Sequence, residues 1–266
     1  MGNVHIPDVL QRIVTTKKEE LRAMPGIAEL KKMAMAVPGA LDFAGAFRKG
    51  KRSVIAEIKK ASPSAGIIAE DFNPVSMAQA YAAADVNAVS ILTDVQYFKG
   101  SPSYIPECRF SLRNIPILRK DFIIAPEQIY EARMLGADSF LLIAAILEKE
   151  EIVDFLGIGR ELGMEAMVES HTEEELEKSI SAGARVLGVN SRNLHDFTVD
   201  LSVAENLVRM MPPDRISVAE SGIRSTADSD RVFGAGFDAV LVGEFLMRGG
   251  PGAVGVMIKT MRGGTE

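Results

Sequence analysis

The chain has 266 residues, a formal charge of −6 and one cysteine, Cys108. A net negative chain with no basic stripe argues against a nucleic-acid partner, and a single thiol excludes an intrachain disulfide or a thiolate-rich metal site. The longest apolar run, FLLIAAIL at 140–147, is far too short to span a bilayer, and the N-terminus lacks an apolar core of signal-peptide length. A soluble chain without a membrane partner, in a reducing cytoplasm, is therefore expected. His5, His171 and His195 are scattered without ligand spacing, so no metal is expected.

Residues 1–50 precede the first strand signal. VLQRIVTTKKEELRAM has apolar residues near helical spacing, and LDFAGAFRKG resembles a second short helix. This segment reads as a helical extension packed on the domain formed by residues 51–266. Lys17 and Lys18 read as a solvated helix face.

Eight short β-rich runs follow: VIAEIKK (54–60), AVSILTD (88–94), PILRKDF (116–122), SFLLIAAI (139–146), EAMVESH (165–171), RVLGVNSR (185–192), ISVAESG (216–222) and AVLVGEF (239–245). Between them lie helix patterns such as PVSMAQAYAAA, APEQIYEARMLGA, EKEEIVDFLGIGRELG, TEEELEKSISAGA and DSDRVFGAGF. Four of these end in a glycine directly before the next strand: LGAD, LGME, AGAR and AGFD. Alternation of this kind predicts an α/β fold, a closed (β/α)8 TIM barrel, for which about 250 residues is usual. An open doubly wound sheet is the alternative; it usually carries GxGxxG after its first strand, and SPSAG is not that motif. Residues 249–266 read as a Gly-rich tail with no second barrel.

In such a barrel the active site lies at the C-terminal strand ends. Those ends carry Glu57 and Lys59, Lys120, Glu169, Asn190 and Arg192, and Glu220 with Ser221 and Gly222. Residues two apart share a strand face, so Glu57 joins Lys59, Met167 joins Glu169, and Gly188 joins Asn190 and Arg192. Heads roughly 7 Å apart attract by only about 2.4 kcal/mol at a dielectric near 20, less than the several kcal/mol per ion that desolvation costs. The Glu57–Lys59 pair is thus a poor stabilising device, and its occurrence with three further ionisable strand ends favours a site over the alternative of solvated or helix-paired charges. Gly222 and Gly243 follow the last two strands, the usual place for a phosphate, and Arg192 supplies a fork for one. Tight turns are the structural alternative for both glycines.

The stretches VIAEIKKASPSAG, SILTDVQYFKGS, ILRKDFI, MVESH, GVNSRNL, VAESGI and LVGEFLMR together resemble, in this order, the motifs of indole-3-glycerol-phosphate synthases, from about residue 8 to 248. The resemblance implies a carboxy-lyase of tryptophan biosynthesis. It would convert 1-(2-carboxyphenylamino)-1-deoxyribulose 5-phosphate to indole-3-glycerol phosphate, carbon dioxide and water, with no cofactor. By that pattern Lys120 is the acid of ring closure. Lys59 holds the substrate carboxylate and assists dehydration, with Glu57 as its acid/base partner. Glu169 stabilises positive charge on the intermediate, and Asn190 is a polar contact. Arg192, Gly222, Gly243 and the backbone of Glu244 match phosphate contacts, with Ser221 beside them. Phe98 and Phe122 match residues packing on the carboxyphenyl ring, Glu220 a substrate contact, and Ser62 and Ser64 a loop ordered over the site. Ala65 departs from the SPSKG common in bacterial members, which puts loop charge in question. A small phosphorylated substrate and a monomer or weak homodimer are expected. Two alternatives stay open: another phosphosugar enzyme on the same barrel, such as a Schiff-base aldolase, and a barrel that only binds a phosphorylated ligand.

Overall fold

The structure is a computed structural model that describes residues 8–264. His5 lies outside the described residues. In chain order the elements are α1 (Asp8–Leu21), α2 (Ile27–Ala36), β1 (Ser53–Ile58), β2 (Ala61–Ser62), β3 (Gly66–Ile67), α3 (Pro74–Ala83), β4 (Ala88–Leu92), α4 (Tyr104–Arg109), β5 (Ile117–Lys120) and α5 (Pro126–Met134). They continue as β6 (Ser139–Ile143), α6 (Lys149–Glu161), β7 (Glu165–Ser170), α7 (Glu173–Ser181), β8 (Val186–Asn190), α8 (Leu201–Leu207), β9 (Ile216–Glu220), α9 (Thr226–Ala235), β10 (Ala239–Val242) and α10 (Glu244–Met261).

Eight parallel strands close a barrel in the order β1-β10-β9-β8-β7-β6-β5-β4, while β2 and β3 form a separate antiparallel hairpin. All eight β-rich runs of the sequence became barrel strands. Their apolar runs are near-continuous because both strand faces are buried, one inside the barrel and one under the helices. Ile55, Leu118, Leu141, Met167, Val186, Val218 and Ala239 pack together in the interior, and the alternate residues Val54, Ala56, Leu142 and Val168 join the outer core. The glycine stops behaved as read: Gly136, Gly163, Gly183 and Gly236 all have positive φ.

The N-terminal segment is wound around this barrel from one end to the other. Helix α1 lies over the C-terminal mouth, where Val9, Leu10 and Ile13 line a cavity. Helix α2, which the sequence reading did not mark, packs Leu30 and Ala34 on Tyr130 of α5. Phe43 and Phe47 then meet edge to face at 5.1 Å and close the base against Ala88, Val186 and Ala239.

Three expectations need correction. LDFAGAFRKG forms only a single 3-10 turn, Ala44–Ala46, because its phenylalanines are used to plug the barrel base. The Gly-rich tail is helical to Met261, kinked at Gly250 (φ 68°) before Pro251, because Val254, Ile258 and Met261 pack into the outer core. Lys17 is not a solvated residue: its side chain is 2% exposed and paired with buried carboxylates, whereas Lys18 is exposed.

Candidate active site

A cavity opens at the C-terminal ends of the strands, as parallel βα units dictate. It is lined by Glu57, Lys59, Ser62, Phe98, Lys120, Phe122, Glu169, Asn190, Arg192, Glu220, Ser221, Gly243 and Glu244. Thus every residue singled out from the sequence reaches it except Gly222. That glycine has φ 83°, and a Cβ there would lie 2.8–2.9 Å from Leu201 and Val199. Its side-chain face therefore points to the β8–α8 region, while neighbours Ser221 and Ile223 face the cavity.

Lys120 is the centre of the polar network. Its Nζ lies 2.7 Å from Glu169 Oε2 and 2.6 Å from Glu220 Oε2. Burial alone would lower the ammonium's pKa, but the charges of Glu169, Glu220 and Glu57 outweigh it and hold the pKa above the usual lysine range. The two carboxylates diverge. Burial pushes Glu169 up, yet Lys120, His171 and hydrogen bonds from Lys120 and Asn190 bring it below the usual carboxylate range. Glu220 is pushed up by burial, which Lys120 opposes and neighbouring Glu169 reinforces. Two adjacent carboxyl groups on one ammonium cannot both ionise easily, so one proton stays on the pair, chiefly at Glu220.

Second contacts fix these groups. Asn190 Nδ2 donates to Glu169 Oε1 at 3.1 Å, while Asn190 Oδ1 accepts the Arg192 backbone N–H at 3.0 Å. His171 lies with Nε2 3.4 Å from Glu169 Oε1 and Nδ1 3.2 Å from Glu175 Oε2. Burial lowers the His171 pKa, and the neighbouring Glu175 and Glu169 more than reverse this. His171 stands two residues after Glu169, so the parity that joins Met167 to Glu169 could have marked it, whereas its Glu175 contact forms only where β7 turns into α7. Gly188 stands beside Glu220, and any Cβ there would overlap Glu220 Oε1.

At the end of β1, Lys59 Nζ lies 2.6 Å from Glu57 Oε2, far closer than the spacing expected from strand rise, because both side chains bend toward each other there. A Cβ at Gly243 would overlap Glu57 Oε2, so the β10 end must be glycine for this pair to fit. The fully buried Tyr81 donates its hydroxyl to the Glu57 carbonyl at 3.0 Å and pins the strand end from behind. Glu244 begins α10, and its carboxylate pairs with Arg248 at 2.8 Å. Arg192 Nη1 donates to the Phe197 carbonyl at 3.1 Å. Burial and nearby Arg224 hold the Arg192 pKa down. The rings of Phe98 and Phe122 stand 6.0 Å apart, tilted by 41°. In the β2–β3 hairpin Ser62 Oγ accepts the Ala65 N–H at 3.2 Å.

Fold and site define a (β/α)8 enzyme with a buried lysine–carboxylate cluster between an aromatic wall and a glycine-bearing rim. The sequence model for indole-3-glycerol phosphate synthase matches residues 10–253. The indole-3-glycerol phosphate synthase of Caldanaerobacter subterraneus subsp. tengcongensis is 42% identical over 259 residues, covering 96% of this chain and all of that one. The protein of the same description from Chlorobium chlorochromatii is 51% identical over 198 residues, 74% of this chain and 76% of that one. A mandelate oxidase structure superposes with a TM-score of 0.62 at 12% identity, covering 94% of this chain and 91% of that one, a likeness of fold alone. The chain belongs to the indole-3-glycerol-phosphate synthase family, whose function is that of a carboxy-lyase in tryptophan biosynthesis. Among the described residues no helix is long and apolar enough to cross a membrane, and no three His, Cys, Asp or Glu side chains form a metal-holding group.

Proposed function

We propose that this cavity closes the pyrrole ring of 1-(2-carboxyphenylamino)-1-deoxyribulose 5-phosphate, with Lys120 as the acid that serves the carbonyl. The observation that carries the reading is the position of Lys120. It stands between Phe98 and Phe122 on the β4–β5 side and the Ser221, Gly243 and Arg192 rim on the β8–β10 side. A substrate with its aromatic ring at the first and its phosphate at the second brings its carbonyl to the ammonium.

The proton inventory of the reaction matches the groups present. The ring carbon bearing the carboxylate attacks the carbonyl carbon, and the carbonyl oxygen takes a proton from Lys120. A developing alkoxide approaches the basicity of hydroxide, whose parent water has a pKa of about 15.7, so even an ammonium of raised pKa is acidic enough to donate. Attack leaves positive charge shared with the ring nitrogen, which the ionised Glu169 stabilises. Carbon dioxide then departs, and its bonding electrons restore the aromatic ring. In the last step the new hydroxyl takes a proton from Lys59 and leaves as water, while Glu57 removes a proton from the adjacent carbon. Two protons are given and one is taken, which balances loss of a carboxylate as neutral carbon dioxide.

Strand order supports this division. β1 lies between β10 and β4, so Lys59 is next to the aromatic wall and within reach of a carboxylate on the ring. Arg192 and the backbone N–H groups near Ser221 and Gly243 hold the phosphate. Burial of the ring against Phe98 and Phe122 and under α1 excludes water from the cation.

The test is direct: purified protein is mixed with the carboxyphenylamino substrate and indole absorbance and fluorescence are followed. Indole-3-glycerol phosphate and one equivalent of carbon dioxide are expected. Absence of the indole product overturns the reading, and a substrate adduct trapped by borohydride would replace it with Schiff-base chemistry.

A further inference from the structure

Lys17 is buried in the interface between α1 and the barrel mouth, and the reaction above gives it no role. Its Nζ lies 2.9 Å from each of Glu20, Asp94 and Asp121. Asp94 and Asp121 are themselves buried, on the loops that follow β4 and β5. Each of these carboxylates organises the backbone of one aromatic residue of the cavity. Asp94 Oδ1 accepts the N–H groups of Tyr97 and Phe98 at 2.7 and 3.1 Å. Asp121 Oδ1 accepts the N–H of Phe122 at 2.8 Å. The other oxygen of each carboxylate is then engaged elsewhere, Asp94 Oδ2 by Lys17 and Asp121 Oδ2 by Thr93 Oγ1 at 2.5 Å and Arg119 at 3.1 Å.

We propose that Lys17 is a positioning residue for the aromatic wall: by bridging Asp94 and Asp121 it locks α1 to the two loops carrying Phe98 and Phe122 and sets the gap between their rings. The inference rests on the reading above that these rings hold the carboxyphenyl ring. Two features make the lock specific to this wall. Thr16 shares a hydrogen bond of 2.9 Å with the Tyr97 hydroxyl, so neighbouring residues of α1 grip the same loop. Loss of Lys17 also falls unequally on the two carboxylates, because Asp121 keeps Arg119 while, among the described residues, Lys17 is the one cation paired with Asp94. A buried carboxylate without a cation draws water or moves to it, and any such movement of Asp94 strains the turn that its Oδ1 holds and that presents Phe98.

The experiment uses the full chain with Lys17→Met, Lys17→Arg, Asp94→Asn, the Lys17→Met/Asp94→Asn double variant and Phe98→Ala. Steady-state kinetics with the carboxyphenylamino substrate are compared with inhibition by ribulose 5-phosphate, which has the phosphate and sugar chain but no ring. For Lys17→Met we expect KM to rise about tenfold or more, with kcat changed less than about threefold and ribulose 5-phosphate inhibition unaltered. Lys17→Arg should recover most of the KM, and the double variant should be no worse than the poorer single one, since both remove one linkage. An unchanged KM in Lys17→Met, or a parallel loss of ribulose 5-phosphate binding, overturns the inference in favour of a purely structural ion pair. Should Lys17→Met not fold, Asp94→Asn decides the matter by the same criteria, because it removes the Lys17 bridge to the Phe98 loop while Lys17 keeps Glu20 and Asp121. Phe98→Ala separates the two layers. If it raises KM and the lysine and aspartate variants do not, only the Lys17 inference falls; if it leaves KM unchanged, the ring-binding reading falls and takes the inference with it.

Discussion

Lys120 and Glu220 stand on β5 and β9, strands diametrically opposite in the eight-strand order, yet their side chains meet at 2.6 Å over the barrel axis. The contact spans the floor of the cavity. Lys120 has three N–H donors and gives two of them to Glu169 and Glu220, so the third can meet a substrate carbonyl. Of the two carboxyl groups, Glu169 is held ionised and is the stronger partner, while Glu220, pushed up by burial, is the weaker one. The ground state is thus an ion cluster that keeps one ammonium donor for the substrate, while the buried Glu220 Oε1 has no hydrogen-bond partner among the described residues.

Replacing Lys120 tests the cluster and the reaction together. Lys120→Ala is expected to lower kcat by about 10²–10⁴-fold, the range for loss of a general acid. Its fold should survive at neutral pH, because Glu169 can take up a proton once its cation is gone. Above pH 8 the uncompensated carboxylates should lower the melting temperature relative to the parent protein. Retained turnover would remove Lys120 from the acid role, and a melting difference independent of pH would remove the carboxylate pairing as its cause.

Glu220 makes its own pH signature. Its folded-state pKa is pushed up to about 8 from 4.5, by burial first and by Glu169 beside it, against the pull of Lys120. Between those limits the unfolded chain has lost the proton and the folded chain has kept it, so stability falls as pH rises through this window and levels off above it. Glu220→Gln matches the protonated acid in shape and charge and has no such loss. Thermal melts from pH 5 to 9 should show the variant gaining on the parent by roughly 4 kcal/mol up to about pH 8 and then little further. A constant difference across that range would mean that Glu220 ionises normally.

Gly188 is the space into which Glu220 folds. Gly188→Ala puts a methyl group where Glu220 Oε1 lies, so the carboxyl must shift and its Oε2 contact with Lys120 is disturbed. The expected result is a loss of about 1–3 kcal/mol in stability, as for overpacked interiors, together with a fall in kcat. Shortening the acid in a Gly188→Ala/Glu220→Asp double variant should recover stability that the single variant loses. If the double variant is instead additive by denaturant melts, the clash is not the cause.

Much of this was legible in the sequence, for physical reasons that also mark where legibility stopped. Strands buried on both faces are runs of β-branched and aliphatic residues closed by glycine turns, so all eight could be read locally, and the strand ends Glu57, Lys120, Glu169 and Glu220 stood out as charges in apolar runs. Lys17 was misread because a helix pattern reports which residues share a face, not what covers that face. Its partners Asp94 and Asp121 come from two later loops that only barrel closure brings together. The pull of Glu169 and Glu220 on Lys120 was equally invisible, since desolvation and pairing act on a lysine with opposite sign and only geometry decides between them. Helix α10 was hidden by its glycines and Pro251, which weaken the pattern although Val254 and Ile258 are buried.

Arg192 offers the clearest separation of binding from chemistry. It enters the cavity beside the rim of Ser221 and Gly243, while Nη1 is spent on the Phe197 carbonyl of its own loop. The rest of the guanidinium fork is available to a phosphate, and its charge is held in place by that internal hydrogen bond. Arg192→Ala is expected to raise KM by about tenfold to a hundredfold with a smaller change in kcat, because the phosphate is bound alike in ground state and transition state. Arg192→Lys keeps the charge but loses both the fork and the tether to Phe197, so its KM should lie between those of the parent and the alanine variant. Inhibition by inorganic phosphate, measured in the same three proteins, should weaken in the same order. If phosphate inhibition is unchanged while kcat falls, Arg192 serves the reacting end of the substrate and the phosphate lies elsewhere on the rim.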